Sequence, residues 1–484
     1  MVRPRELALL LLLAAAWAPA RAQEVYFSPF DDPQAAALKV LGEAQHSLDV
    51  AQYNIRNAEY LEVLRALRDR GVKVRIVVDK KNADQEWNTL DDQLESEGFQ
   101  LVRYLNTQRP LAIMHLKAVV IDQKTVMTGS FNWNETARYV NDENMLVLRD
   151  EALARAYTRE VDMLCGGPMA QGPHQSGKVG VWFSPQDDPR QAVLKAIGRA
   201  KQRILVAMFT FADFKVAHAL RRAVERGVEV VMVIEKKQAD RFPADEVVAE
   251  ATPKPGHKAP RVLVGGNVSS AHSAMHQKYA VIDGQTVITG ACNWTPTAFG
   301  GSNEDLLVIE DQALAARYTE NFGALVLRYA PEQYQAAEWG IDRPEAVAHF
   351  AVHCDATLPG ESLYLVGGHS ALGEWVPERA IPFTTSDNMW PVWVTNVRVP
   401  RGAHAEWKLL IRGPNGDRWE GGANRELLAE EHGTNGAWLV RFGEAGRIEP
   451  PRSSAPGSAP TGSTPAPPAP PTSTDGLVGG VDGH

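Results

Sequence analysis

Apolar and polar positions between residues 23 and 330 alternate between two periods, as they do in α/β proteins. Segments 34–44 and 60–70 have the spacing of amphipathic helices with one apolar face. Segments 48–53, 72–79 and 99–104 are short, and the first two are almost wholly apolar, which is typical of buried strands. The pattern therefore predicts helices that alternate with the strands of a buried sheet.

The same pattern occurs twice. The sequence YFSPFDDP at 26–33 returns as WFSPQDDP at 182–189, 156 residues later. Further along the chain the offset becomes 161 residues, so the second copy has an insertion of five residues, which we place in the Pro/Gly-rich stretch 252–260. Repetition at this length indicates a duplicated domain and not a solenoid. We expect one repeat at 23–170 and another at 178–330.

Both ends of the chain differ from these repeats. Residues 345–445 have short alternating segments and many turns, which is typical of an all-β, immunoglobulin-like sandwich. Residues 446–484 are dominated by Pro, Ser, Thr, Ala and Gly, and such a tail cannot bury enough apolar surface to become ordered. We therefore expect two α/β repeats, a β sandwich and a disordered tail.

Residues 1–22 have the features of a signal peptide. Arg3 and Arg5 precede a short apolar run, and Ala20-Arg21-Ala22 fits a small-residue cleavage site. The run is too short to span a bilayer, which needs about 20 apolar residues. We expect a bacterial protein that is secreted or periplasmic, without a transmembrane segment.

Composition excludes few classes of function. Of the 484 residues, 44% are hydrophobic and 23% are charged, as in soluble globular proteins, and a net charge of -9 does not favour a nucleic-acid binder. Cys165, Cys292 and Cys354 are too few and too scattered for a disulfide framework or a zinc site. We expect no metal, no cofactor and a monomer.

Each repeat carries a histidine, a lysine two residues later and an aspartate five residues after the lysine. These residues are His115, Lys117 and Asp122 in the first copy and His276, Lys278 and Asp283 in the second. Side chains two apart on a strand point the same way, so His and Lys share a face. If the repeats pack about a pseudo-twofold axis, both pairs meet in one pocket. Lysines there would neutralise phosphate oxygens, while one imidazole attacks phosphorus and the other protonates the departing alkoxide.

Two further residue types keep the 161-residue offset. Asn132 corresponds to Asn293, and Glu143 corresponds to Glu304. A carboxylate on the far nitrogen of each imidazole would orient the ring and raise its basicity, and each amide could donate to a phosphate oxygen. The two copies therefore predict a complete catalytic set in each half.

Each of these residues also has an ordinary structural explanation. A single His-x-Lys on a strand is usually a solvated face, and Asp122 and Asp283 could equally be turn formers. However, neighbouring positions have diverged, for example Leu116 and Gln277, while the five candidate residue types are the same in both copies. Their joint retention favours an active site.

The paired motif resembles the signature of the phospholipase D superfamily over residues 26 to about 329. The resemblance implies an α/β/α sandwich for each repeat and metal-independent hydrolysis through a phosphohistidine, with His115 favoured as nucleophile and His276 as acid and base. It also places Lys117, Lys278, Asn132 and Asn293 on phosphate, and Glu143 and Glu304 behind the rings. The Gly290-Ala291 pair departs from the usual Gly-Ser, which puts a serine contact in that half in doubt.

A second resemblance covers residues 348–442, whose Leu-Gly-Glu-Trp, Glu-Trp-Lys and Trp-Glu segments are similar to the starch-binding family 20 carbohydrate-binding module. It implies a platform of Trp375 and Trp419 for stacked sugars, with Lys408 and Asn424 as polar partners. The same comparison indicates that the second sugar site of the family is degraded in this chain. Its Trp position is filled by Trp393, but Pro359 and Ser386 replace the expected tyrosines. The alternative is that these tryptophans belong to the core of the sandwich.

The sequence leaves three functions open. The first is a secreted phosphodiesterase of phospholipase D type that acts on a phospholipid and also binds starch or another polysaccharide. The second is a metal-independent endonuclease acting on DNA or RNA, although the negative charge weakly opposes a polyanionic substrate. The third is a glycan-binding protein with an inactive core, which two intact motifs oppose. Residues 53–54 and 209–211 either line a path for an acyl chain or belong to the core.

Overall fold

A computed structural model describes residues 23–85, 90–169, 172–266, 274–330, 333–339, 345–385, 390–400, 402–428 and 437–443. The predicted signal peptide at 1–22 and the predicted disordered tail at 446–484 lie outside the described residues. Among the described residues, no helix has the length and apolar character needed to cross a bilayer.

The first repeat forms a seven-stranded sheet with helices packed on it. Its strands are β1 (Gln23–Ser28), β2 (Ser47–Gln52), β3 (Lys73–Asp79), β4 (Gln100–Tyr104), β5 (Lys117–Ile121), β6 (Thr125–Gly129) and β7 (Glu143–Arg149). Its helices are α1 (Pro33–Leu41), α2 (Ala58–Asp69), α3 (Lys80–Ala83), α4 (Leu90–Ser96), α5 (Glu135–Tyr139) and α6 (Glu151–Leu164). The strand order is β1-β7-β6-β5-β2-β3-β4, in which only β2, β3 and β4 are mutually parallel.

The second repeat has the same strand order with one additional edge strand. Its strands are β8 (His174–Ser176), β9 (Val179–Ser184), β10 (Arg203–Met208), β11 (Glu229–Glu235), β12 (Arg261–Gly265), β13 (Lys278–Ile282), β14 (Thr286–Gly290) and β15 (Glu304–Glu310). Its helices are α7 (Pro189–Arg199), α8 (Phe214–Arg226), α9 (Lys236–Ala239), α10 (Glu246–Ala249), α11 (Pro296–Gly300) and α12 (Gln312–Tyr329). The order is β12-β11-β10-β13-β14-β15-β9-β8.

The predicted insertion lies between α9 and β12. Helices α3 and α9 begin 156 residues apart, whereas β4 and β12 begin 161 residues apart. The five extra residues of the second copy therefore fall between α9 and β12, a segment that includes the Pro/Gly-rich stretch 252–260.

The two sheets face each other across one shared core, in which α6 and α12 are packed. Aromatic rings join the repeats across this core: Phe27 lies 5.1 Å from Tyr318, and Tyr157 lies 4.9 Å from Phe183, both edge to face. Such edge-to-face pairs are favourable for aromatic rings and bury large apolar areas. The shared core holds the two repeats in a fixed relation, with α/β/α layering as predicted.

The C-terminal region forms two antiparallel-rich sheets around a separate core. Its strands are β16 (Glu345–His353), β17 (Ser362–Gly367), β18 (Ile381–Pro382), β19 (Val392–Pro400), β20 (His404–Gly413), β21 (Gly416–Trp419), β22 (Arg425–Leu428) and β23 (Ala437–Arg441). One sheet is β19-β16-β23, and the other is β18-β17-β20-β21 with β22 beside β20. Phe350 and Trp407 pack edge to face in the core between them, which confirms the predicted all-β sandwich.

Candidate active site

The two histidines are positioned by the opposite repeat. The backbone N–H of His115 donates to the carbonyl of Asn303 at 2.9 Å, and that of His276 donates to the carbonyl of Asp142 at 3.0 Å. Met114 and Met275 form isolated bridges to the same two residues. Each histidine is thus fixed by the residue that immediately precedes the other repeat's candidate glutamate.

Each candidate glutamate contacts the histidine of the opposite repeat. Glu304 Oε2 lies 2.8 Å from His115 Nδ1, and Glu143 Oε2 lies 2.8 Å from His276 Nδ1. The position of a carboxylate behind each ring agrees with the expectation from sequence, but each glutamate serves the histidine of the other copy. Because Nδ1 is taken by the carboxylate, Nε2 is the nitrogen left to face a substrate.

The two lysines are anchored to the same segments. Lys117 Nζ donates to the carbonyl of His115 at 2.6 Å, and Lys278 Nζ donates to the carbonyl of His276. Aromatic rings support both pairs: Tyr53 lies 5.2 Å from the His115 ring and 5.3 Å from Lys117 Nζ. The equivalent residue of the second repeat, Phe209, packs against His276 and Lys278 at 4.6 and 4.9 Å.

Burial sets the proton affinities of the basic groups. It lowers the pKa of His115 well below the usual range, and the charges of Lys117, Lys278 and His276 lower it further. Burial, followed by the two lysines, has the same effect on the pKa of His276. Burial also lowers the pKa of Lys117 to about 8, and that of Lys278 falls well below its usual range. The mutual influence of these four groups shows that they share one site.

The paired carboxyl groups shift in the opposite direction. Burial raises the pKa of Glu143 to about 7, although the Lys278 charge and hydrogen bonds from Ser130 and Asn141 oppose the shift. Burial raises the pKa of Glu304 well above its usual range, and the neighbouring Asp305 raises it further. With the pKa of each histidine lowered and that of its glutamate raised, each His–Glu pair favours holding a single proton between its two members.

The position of that proton decides what each imidazole can do. With an ionised glutamate, Nδ1 carries the proton and Nε2 presents a lone pair, as a nucleophile or base requires. With a protonated glutamate, Nδ1 accepts and Nε2 carries a proton, as an acid requires. Two crossed pairs can thus supply one nucleophile and one acid at the same pocket.

Asn132 and Asn293 lie just beyond the hairpins β5–β6 and β13–β14, each three residues after the end of the second strand. Asn132 is 8% exposed, and its Oδ1 is buried without a hydrogen-bond partner among the described residues. Asn293 is less buried, and its Oδ1 accepts from the backbone N–H of Thr210 at 3.2 Å. Phosphate binding by these amides remains a prediction.

The structure corrects the prediction for Asp122 and Asp283. Each lies beyond the far end of the strand that begins at Lys117 or Lys278, and five residues of strand span about 16 Å. Asp122 accepts from the backbone N–H groups of residues 45, 46 and 47, and Asp283 accepts from those of residues 201, 202 and 203. These carboxylates fasten the hairpin turn to the start of the neighbouring strand, and they do not reach the imidazoles.

Several supporting residues were not found by sequence reasoning. Arg328 Nη1 donates to Asp142 at 2.8 Å, and Tyr329 donates to the same carboxylate, so α12 fixes the residue whose carbonyl holds His276. In the other half, Asn106 Nδ2 donates to Asn303 Oδ1 at 2.7 Å. Since these pairs join distant segments, no local motif could reveal them. Among the described residues, no group of three or more His, Cys, Asp and Glu side chains could hold a metal ion.

The predicted sugar platform belongs to the C-terminal sandwich. Trp419 is 44% exposed on β21, and Trp375 is half-buried at a left-handed backbone position. Lys408 Nζ donates to the carbonyl of Gly422 at 2.7 Å, and Asn424 Nδ2 donates to Glu406 at 3.0 Å. All four residues have exposed or half-buried side chains, as a binding surface requires.

The degraded second sugar site is consistent with the position of Trp393. This residue is 7% exposed, and its Nε1 donates to the carbonyl of Cys354 at 3.2 Å, so its ring belongs to the core. Ser386 lies outside the described residues. For Trp393, the alternative of a core position holds.

Two family models match the chain. The cardiolipin synthase, PLD-like domain matches residues 37–165 and again residues 193–326. The starch binding domain matches residues 346–437. The first model therefore covers both halves of the candidate site, and the second covers the β sandwich.

Curated proteins similar to parts of the chain fall into the same two groups. The chain is 32% identical over 127 residues to a mitochondrial cardiolipin hydrolase of Chlamydomonas reinhardtii, across 26% of this chain and 55% of that protein. It is 31% identical over 117 residues to a phospholipase D of Rickettsia conorii, across 24% and 56%. It is 37% identical over 101 residues to a glucan 1,4-alpha-maltotetraohydrolase of Stutzerimonas stutzeri, across 20% and 18%. The chain thus spans about half the length of the first two proteins and about a fifth of the third.

Proposed function

Because the chain belongs to the phospholipase D-like family, we propose that it is a phosphodiesterase that hydrolyses a phospholipid to phosphatidic acid and a free head-group alcohol. The observation that carries the proposal is the pair of crossed contacts, His115 with Glu304 and His276 with Glu143. With a lysine beside each ring, this arrangement offers a nucleophile, an acid and two cations to one phosphodiester.

In the first step, Nε2 of one imidazole forms a bond to phosphorus as the bond from phosphorus to the head-group oxygen breaks. The Nε2 proton of the other imidazole passes to that oxygen while its Nδ1 takes the proton of the paired glutamate, so a neutral alcohol leaves and the ring stays neutral. The attacking ring becomes cationic and is stabilised by the carboxylate on its Nδ1. Following the family resemblance, we assign the attack to His115 and the proton transfer to His276.

In the second step, water replaces the alcohol. The Nε2 lone pair of His276 takes a proton from water, the water oxygen bonds to phosphorus, and the bond between phosphorus and His115 breaks. Lys117 and Lys278 offset the charge on the non-bridging oxygens in both transition states. Phosphatidic acid leaves, and both rings return to their starting protonation.

Exposed apolar residues favour a phospholipid over a nucleic acid. Leu105 and Leu111 are 45% and 80% exposed in the segment that leads from β4 to His115, and Phe242 is 40% exposed beyond α9. All three follow the carboxyl ends of parallel strands. The histidines lie at the same edge, because β5 and β13 run antiparallel to β2 and β10 and begin two residues after His115 and His276. Lys81 Nζ donates to the carbonyls of Pro110 and Ala112 and so holds Leu111 outward. Such side chains can enter the boundary of a lipid layer.

A side-by-side assay tests this proposal. The purified protein is given phosphatidylcholine vesicles and plasmid DNA, both in excess EDTA, with His115→Ala as the matched control. We expect release of choline and phosphatidic acid by the parent and by none of the control samples. Cleavage of DNA without hydrolysis of lipid would replace the phospholipase with an endonuclease, and loss of activity in EDTA would contradict the metal-free scheme.

We also propose that the C-terminal sandwich binds a starch-like glucan through Trp375 and Trp419. Two aromatic side chains with half-buried or exposed rings can stack on the apolar faces of sugars. Titration with maltoheptaose tests this role. Replacement of both tryptophans by alanine should remove most of the binding, and unchanged affinity would show that the platform lies elsewhere.

From the sequence of residues 1–22 we further propose that the protein is exported and its signal peptide removed. The mass of the protein recovered from the periplasm or medium of a bacterial culture tests this. A mature chain that begins at Gln23 is expected, and a full-length chain confined to the cytosol would contradict export.

A further inference from the structure

A cavity of about 270 Å³ lies in the second repeat, at the end of β13 opposite to His276. Strands β8 and β9, helix α7 and the turn between β13 and β14 form its walls, and Trp182, Gln175 and Gln285 are among its lining residues. The cavity contains none of the residues of the two His–Glu pairs, so it is separate from the candidate active site.

The position of the Trp182 ring depends on Gly180. A Cβ atom at Gly180 would lie 2.6 Å from the Trp182 ring, which is closer than any side chain could approach. The half-buried ring therefore lies over bare backbone and forms one wall of the cavity. This close approach depends on the absence of a side chain at residue 180.

The first repeat has a different group at the same location. Its residues Glu24 and Tyr26 correspond to Gly180 and Trp182 at the 156-residue offset. Tyr26 donates to Glu24 at 2.7 Å, and Arg149 lies 3.5 Å from Glu24 and 2.8 Å from Glu43. One hydroxyl and three charges are therefore joined by contacts where the second repeat has a glycine and a Trp ring.

The second repeat has reversed two of these charges. Arg199 stands at the position of Glu43, and Glu310 stands at the position of Arg149. Both residues line the cavity, together with Lys178 and Lys195. Since Gly180 replaces Glu24 and Trp182 replaces Tyr26, the second repeat has an aromatic wall with polar and charged side chains around it.

We propose that this cavity binds a sugar unit of the same α-glucan that the C-terminal sandwich takes. A Trp ring offers an apolar face for stacking, and the amides of Gln175 and Gln285 can donate to and accept from hydroxyl groups. The wall carries three cations, Lys178, Lys195 and Arg199, beside two carboxylates, Asp283 and Glu310. Charges of both signs suit a neutral, hydroxyl-rich ligand. The class of ligand rests on the proposed glucan binding by the sandwich. Two sites on one chain would hold the protein on a polysaccharide more tightly than either alone.

Calorimetric titration of the full chain with maltoheptaose tests the inference. In a background of Trp375→Ala with Trp419→Ala, we expect weak residual binding that is saturable. Trp182→Ala in that background should lower the residual affinity at least tenfold, because a stacked ring contributes much of the binding of one sugar. Tyr26→Ala, the matched change in the first repeat, should leave the residual affinity unchanged.

Gly180→Glu is a second variant that restores the residue of the first repeat and should also remove residual binding. Far-ultraviolet circular dichroism checks that each variant is folded. Absence of residual binding in the background protein, when the parent binds maltoheptaose, overturns only the cavity site. Residual binding that is indifferent to both changes also overturns it. A parent that does not bind maltoheptaose overturns both this inference and the proposed role of the sandwich.

Discussion

The two halves of the site share their reacting groups but differ in what surrounds each glutamate. Glu143 accepts from Asn141 at 3.1 Å, and Ser130 also favours its ionised form. In the other half, alanine replaces the serine, and Asp305 stands beside Glu304 where the first half has Asn144.

Hydrogen-bond donors favour a carboxylate, whereas a neighbouring acid disfavours it. Duplication therefore preserved the chemistry of each half, while divergence gave the two glutamates different proton affinities. Two unequal halves suit a reaction in which one imidazole attacks and the other transfers protons.

The largest effects are expected from the imidazoles themselves. His115→Ala and His276→Ala should each lower kcat for a chromogenic phosphodiester by on the order of 10⁴-fold or more, because each ring has a role the other cannot fill. His46→Ala, at an exposed site, is the matched control and should retain the parent rate. A variant at either catalytic ring with near-parental activity would remove that ring from the mechanism.

A trapped intermediate sharpens the assignment of roles. With a substrate whose leaving group needs no protonation, His276→Ala should still form phosphohistidine at His115 but fail to hydrolyse it, because the base that activates water is gone. Mass spectrometry of the quenched protein identifies the modified residue. A phosphate group carried by His276 in the His115→Ala protein would reverse the assignment.

Removal of either glutamate should cost less. Glu304→Gln and Glu143→Gln should each lower kcat roughly 10²- to 10⁴-fold, because the amide cannot stabilise an imidazolium and favours the wrong tautomer. Imidazole nitrogen NMR checks the crossed contacts. Glu304→Gln should shift the signals of His115 and leave those of His276 nearly unchanged, and the opposite result would contradict the observed pairing.

Much of this site could be predicted from the duplicated sequence, and the remainder could not, for identifiable reasons. The His, Lys and Glu candidates were found because both copies keep them at one offset. The crossing of the carboxylates depends on how two sheets face each other across a shared core, and no spacing within one repeat encodes it. The error for Asp122 was avoidable, since its distance along the strand from Lys117 already placed it at the opposite end.

An effect of pH is expected from Lys117. Because burial lowers the pKa of this lysine to about 8, it loses its proton as the pH rises through that value, and the phosphate then loses a cation. We expect kcat/KM to fall above about pH 8 in the parent. Lys117→Arg stays charged at this position, so the variant should lose the part of the decline that is due to Lys117, while any part due to Lys278 remains. The exposed Lys124→Arg is the control and should reproduce the parental decline.

The smallest effect should come from exchanging the neighbours that distinguish the halves. Asp305 accepts from Thr128, Tyr157 and the backbone N–H of Ala291, and Asn144 makes comparable contacts with Thr289 and Tyr318. Asparagine should therefore fit at residue 305. Asp305→Asn removes a charge that raises the pKa of Glu304, so the glutamate should ionise at lower pH and the acid limb of the kcat/KM profile should move in that direction.

The reciprocal change, Asn144→Asp, places an acid beside Glu143 and should raise the pKa of that glutamate. Because His276 acts as an acid while Glu143 is protonated, the alkaline limb of the kcat/KM profile should move to higher pH. The two profiles are measured with the same chromogenic diester, and opposite displacements are expected. Displacements of the same sign, or none, would mean that residues 144 and 305 act through packing alone. The different proton affinities of the two glutamates would then have another origin, because the charge at residue 305 would no longer explain them.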